Sequence, residues 1–104
     1  MDSKPFIQST DNQLTLYIDG PLDYTTVGSY QVTLNSFYKE CPGITSIDIS
    51  MKDCPYIDTA GIGFLVKVRK EANEFQRTLT LVEIDPDVME VFKIINVAHW
   101  FVFR

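Results

Sequence analysis

Three runs of this chain alternate apolar and polar residues, and each is followed by a segment whose apolar residues recur every three or four positions. In the first run, 14–18, Leu14, Leu16 and Ile18 share one face. In the second, 44–51, Ile47, Ile49 and Met51 oppose Ser46, Asp48 and Ser50, and the third is 78–83. A period of two predicts a strand with one buried and one wet face. The intervening segments read as helices. Segment 26–39 carries Val27, Tyr30, Leu34, Phe37 and Tyr38, although its Thr and Gly content is poor for a helix. Segment 60–75 buries Gly61, Leu65, Val68, Ala72 and Phe75 and wets Lys67, Lys70, Glu71 and Glu74. A third helix starts near Pro86 with Asp85 as its cap, and carries Val88, Val91, Phe92 and Ile95.

An extra strand over 6–9 joins the first run through the polar tetrad Thr10-Asp11-Asn12-Gln13, which suits a hairpin turn. Trp100-Phe101-Val102-Phe103 closes the chain as a short strand or extended tail that completes the core. The predicted order is β-β-α-β-α-β-α-β in one α/β domain spanning 1–104. Strands joined through helices run parallel with right-handed crossovers. A sheet covered on both faces would read as continuous apolar runs. These strands keep a polar face, so a mixed sheet with its helices mainly on one face is expected.

At 104 residues there is room for one compact domain. The net charge of −5 argues against nucleic acid as a partner, since that surface is normally basic. No run approaches the roughly 20 apolar residues that span a bilayer, and no basic, then apolar, secretory leader opens the chain. Cys41 and Cys54 are each followed by proline and lack a CxxC spacing, so no zinc site is expected and reduced thiols in a cytoplasmic protein are. No metal or other cofactor is implied. The single His99 sits beside Trp100, where packing explains it better than catalysis, and no nucleophile–base pattern or P-loop accompanies it. An enzyme is not expected.

The most unusual stretch is Tyr56-Ile57-Asp58-Thr59-Ala60-Gly61-Ile62-Gly63, between a strand and the longest helix. Two glycines in the first turns of a helix cost about 1 kcal/mol each relative to alanine. They imply close backbone approach, to the sheet or to a partner. Asp58 and Thr59 are both good N-caps, and only one can serve. If Thr59 is free, it displays a hydroxyl to a kinase at a helix start, where the free N–H groups and the dipole tolerate a phosphate.

The segment Ile57-Asp58-Thr59-Ala60-Gly61-Ile62-Gly63-Phe64-Leu65 resembles the Asp-Ser/Thr-x-Gly-Leu/Ile-Gly signature of STAS domains, in particular bacterial anti-sigma factor antagonists. Ile18-Asp19-Gly20-Pro21-Leu22-Asp23 looks like the family's Gly-x-Leu-Asp turn before the first helix, and Leu81-Val82-Glu83-Ile84 with Val91-Phe92-Lys93-Ile94-Ile95 like its last βα unit. The resemblance implies that Thr59 is the phosphoacceptor. Unphosphorylated protein would bind a serine kinase/anti-sigma factor, phosphorylation would end the binding, and a phosphatase would restore it. Asp23 matches an acidic partner-contact position. The expected contact set is Asp23, Tyr24, Tyr56, Asp58, Thr59, Ala60, Gly61, Ile62, Gly63 and Val66, presented by a monomer. Ile62 and Val66 fall at i, i+4 beside the buried stripe, and Tyr24 and Tyr56 sit on the same edge. Two departures stand out: threonine where serine is commoner, and Ala60 where a second small hydroxyl often follows. STAS accessory subunits of bacterial lipid-transport ABC complexes also resemble this chain, with Asp-Thr-Ala-Gly in the same place. A small-molecule sensor binding at the helix start is the third reading, and saturable ligand binding without a protein partner would mark it.

Overall fold

The computed structural model describes residues 6–10 and 12–104; Asp11, one of the expected turn residues, lies outside them. Strands β1 (Phe6–Ser9) and β2 (Gln13–Asp19) form an antiparallel hairpin, closed where the Thr10 N–H donates to the Gln13 carbonyl at 2.8 Å. Helix α1 (Val27–Glu40) leads to β3 (Ser46–Asp53), helix α2 (Thr59–Glu74) to β4 (Thr78–Val82), and helix α3 (Pro86–Ile95) to β5 (Val102–Phe103). β2, β3, β4 and β5 are parallel, and the spatial order is the sequence order, β1-β2-β3-β4-β5. Right-handed crossovers that always advance in the same direction must place every helix on the same face. The molecule is accordingly only 19 Å through its short axis, the depth of one sheet and one helical layer.

The core lies between those layers. Leu14, Leu16 and Ile18 of β2, Ile47, Ile49 and Met51 of β3, and Leu81 of β4 meet Tyr30 and Leu34 of α1, Leu65 and Val68 of α2, and Val88 and Phe92 of α3. On the opposite face Thr15, Tyr17 and Ser50 are half-buried. Asp48 is the buried exception there, accepting from Gln13 Nε2 at 3.0 Å and pairing with Arg104 Nη2 at 2.7 Å. Asp85 caps α3 as expected, its Oδ1 accepting from the Asp87 N–H at 2.8 Å, with Pro86 opening the helix. Both cysteines are free thiols, and burial pushes the Cys54 thiol up.

Three expectations fail at element ends. Phe75, assigned to the buried stripe of α2, lies one residue past the helix at φ −99°, ψ 13°, so its ring leaves the stripe and is 63 % exposed. Ile95 is exposed because Asn96, in the left-handed conformation at φ 64°, terminates α3 immediately after it. Trp100 belongs to a 3-10 turn (Ala98–Trp100) rather than a strand and stays 43 % exposed, so it does not complete the core. Phe101 and Phe103 do pack inward, edge-on to Phe92 at 5.5 and 5.8 Å.

Candidate functional site

The turn after β2 makes the first wall of the site. Gly20 has φ 88°, a conformation that disfavours any side chain, and its N–H donates to the Asp53 carbonyl at 2.9 Å. Two residues later Leu22 forms a parallel bridge with Ile57. Its N–H donates to the Tyr56 carbonyl at 2.9 Å and its carbonyl accepts from the Asp58 N–H at 3.3 Å. The loops after β2 and β3 are thereby stitched together at the carboxyl edge of the sheet, where open α/β folds place their sites.

Asp58 resolves the competition between adjacent caps. Its backbone is extended, and its Oδ1 accepts from the Gly61 N–H at 2.9 Å. Its Oδ2 accepts from the Tyr24 N–H at 3.1 Å, across 34 positions of sequence. One carboxylate therefore caps α2 and holds the loop before α1. Thr59 becomes the first helical residue, exposed, and among the described residues no group is hydrogen-bonded to its hydroxyl. The Ile62 N–H reaches the Asp58 carbonyl at 3.0 Å, so the N–H groups of Thr59 and Ala60 remain at the positive end of the helix.

Asp23 and Tyr24 are brought to this edge by the same stitching. Asp23 Oδ1 accepts from the Thr25 hydroxyl at 2.6 Å and from the Thr25 N–H at 2.9 Å. The Thr25 hydroxyl holds the Asp23 carboxyl below the usual carboxylate range, against the opposing effect of burial. Tyr24 and Tyr56 are exposed, at 78 % and 54 %. Of the remaining expected contact residues, Ala60 and Val66 are half-buried and Gly63 is exposed, whereas Gly61 and Ile62 are buried and present no surface. They shape the edge from beneath. A Cβ on Gly61 would run into the Leu22 carbonyl oxygen and lie 2.6 Å from Ile57 Cγ1.

Gly63 differs, since a Cβ there would meet nothing within 4 Å. It lies in a shallow apolar groove of about 250 Å³ between α1 and α2, lined by Val27, Gly28, Gln31, Ala60, Phe64 and Lys67 besides itself. Gly28 is equally unobstructed. The sequence reading missed the α1 wall, for which the one available signal was an otherwise costly glycine early in a helix. Among the described residues no cluster of His, Cys, Asp and Glu is arranged to hold a metal, and no helix is long and apolar enough to cross a membrane.

The family model for the STAS domain matches residues 4–104. The chain belongs to the STAS domain family. Three of the solved structures that share the fold of this STAS domain show the likeness. The anti-sigma factor antagonist SpoIIAA in its unphosphorylated form superposes with a TM-score of 0.80 at 17 % identity, over 96 % of this chain and 87 % of that one. The phosphorylated form of the Bacillus cell-fate determinant SpoIIAA gives 0.73 at 16 % identity, over 96 % and 90 %. A Ser-to-Glu variant of RsbS from Moorella thermoacetica gives 0.81 at 16 % identity, over 98 % and 86 %. At these identities the likeness establishes architecture. None of the curated proteins matches this sequence.

Proposed function

We propose that this STAS domain is a cytoplasmic partner-switching regulator of the anti-sigma-antagonist kind, with Thr59 as its switch. The unphosphorylated domain docks a serine kinase/anti-sigma factor over the first turn of α2. Phosphorylation of Thr59 by that kinase releases it, and a phosphatase resets the domain. The observation that carries this reading is the division of labour at the helix start: Asp58 does the capping, so the Thr59 hydroxyl stands exposed and unengaged. Two of the structural relatives are the unphosphorylated and phosphorylated forms of SpoIIAA, a named anti-sigma factor antagonist, which supports a phosphate-dependent role for a fold of this type.

The physics of the switch follows from position. A phosphate adds about −1.5 to −2 charges and three acceptor oxygens. On the first residue of α2 it meets two free N–H groups and the positive helix end, so the fold tolerates it. A partner seated there would have to desolvate it beside the Asp58 carboxylate, and like-charge crowding at an interface costs several kcal/mol. The exposed rings of Tyr24 and Tyr56 and the groove beside Gly63 supply apolar contact area for the unmodified state.

The test is co-purification from native cells with wild type, Thr59→Ala and Thr59→Glu as baits. The expected result is recovery of a kinase-like ATPase by the first two and not by the third. Indifference to both substitutions would sink the switch, and recovery of transporter subunits would assign the domain to the accessory class.

A further inference from the structure

At the other end of the helical layer, about 24 Å away along α2 by its rise per residue, a second cleft opens. It has a volume of about 380 Å³ and is lined by Asn35, Tyr38, Lys39, Phe75 and Arg77. Arg77 is its centre. The guanidinium lies 4.6 Å from the centroid of the Tyr38 ring and 4.9 Å from that of Phe75. Its Nε donates to the Ile44 carbonyl at 3.1 Å, which fixes the plane and leaves the terminal N–H groups uncommitted. The ion pairs among the described residues are Lys93 with Glu90 and Arg104 with Asp48, so neither Arg77 nor Lys39 has a carboxylate partner there.

The rest of the lining has the same polarity. Asn35 Oδ1 already accepts from Gln31 Nε2 at 3.0 Å, so this side chain has its NH2 group left to offer. The Tyr38 hydroxyl is buried with no hydrogen-bond partner among the described residues. Burial pushes its pKa up to about 12. In a chain of net charge −5, this cleft is lined by two cations, an amide and two aromatic rings, and by no carboxylate. Glu71 is the acid whose field reaches Tyr38, and it stands outside the lining. The carbonyl ends of α1 and α2 oppose an anion with about half a charge each, against two whole charges from Lys39 and Arg77. Stacking accounts for Arg77 and for both rings beside it, but leaves its terminal N–H groups and the Lys39 ammonium unanswered.

We propose that this cleft binds a small organic anion, a carboxylate on a flat apolar body. Arg77 and Lys39 hold the carboxylate and the exposed Phe75 ring receives the body. A guanidinium pairs with a carboxylate through two parallel hydrogen bonds along its edge, which stacking on its faces leaves free. The volume lies in the range of small-ligand sites. The cleft is independent of Thr59 and would give the domain a second input.

Benzoate titrated into the isotopically labelled full chain, followed by NMR at low salt, tests this, with benzamide as the uncharged match. The expected result is saturable shifts at Lys39, Phe75 and Arg77 with Thr59 and Gly63 unmoved, and benzamide binding at least about tenfold more weakly. Arg77→Gln should weaken benzoate binding by about tenfold or more. If that variant unfolds, Lys39→Ala at the exposed rim decides, with an expected weakening of about threefold. Absent saturation, equal response to benzamide, shifts centred on Thr59, or unchanged affinity in Lys39→Ala would each overturn the proposal.

Discussion

The first turns of α2 have a closed side and an open side, and glycine occupies both for opposite reasons. Gly61 faces the Leu22 carbonyl and Ile57, where the loops after β2 and β3 are stitched, and no side chain fits. Gly63, two residues on, faces an open groove with room for a side chain. The first glycine is required by the fold. The second costs helix stability without any internal packing gain, as expected if the proposed partner docks there. Identical residues on one helix thus mark its packed side and its open side.

The largest expected effect tests the closed side. Gly61→Ala forces a Cβ onto backbone and should destabilise the domain by about 3 kcal/mol; an unfolding free energy from denaturant titration within about 1 kcal/mol of wild type would remove the steric argument. Asp58→Ala should cost about 1–2 kcal/mol through the lost cap, with Asp58→Asn recovering most of it. Equal losses in the two variants would mean that charge, rather than capping, is what matters. On the open side the sign reverses. Gly63→Ala should raise stability by up to about 1 kcal/mol while reducing recovery of the partner. A variant that is both more stable and unimpaired in capture would show that the groove is not used.

The smallest effect belongs to the far end of the layer and serves as a control. The folded-state pKa of Tyr38, raised to about 12 chiefly by burial, lies above the ordinary tyrosine value. Stability from this group is therefore complete below about pH 10 and is lost as pH climbs through about 12. Tyr38→Phe should remove that alkaline loss, seen in denaturation curves across the window. At pH 7 it should shift stability by less than about 1 kcal/mol, because it also deletes an unpartnered hydroxyl.

Much of this was legible from residue order. Alternation in 14–18 and 44–51 assigned the buried faces correctly, and Asp85-Pro86 marked the start of α3. Asp58-Thr59 marked the start of α2, but which residue caps it depends on Tyr24, 34 positions away, and no local pattern carries that. Phe75 kept the helical spacing while lying past the end of the helix, so periodicity misplaced it. Trp100 was misread because a 3-10 turn of three residues has no period to detect. Arg77 left no pattern, since it lies in the turn after α2 and one of its two ring partners, Tyr38, comes from α1.

The strand order has a consequence for how the chain assembles during synthesis. Because β1 to β5 lie side by side in the order in which they are made, each new βα unit can add to an edge already in place. No strand has to wait for a later one to be inserted between finished neighbours, and the loops to be closed stay short. The exception is Asp48, laid down with β3 and left without its arginine until Arg104 leaves the ribosome. The sheet can thus zip together vectorially, and the ion pair on its open face waits until β5 has been made.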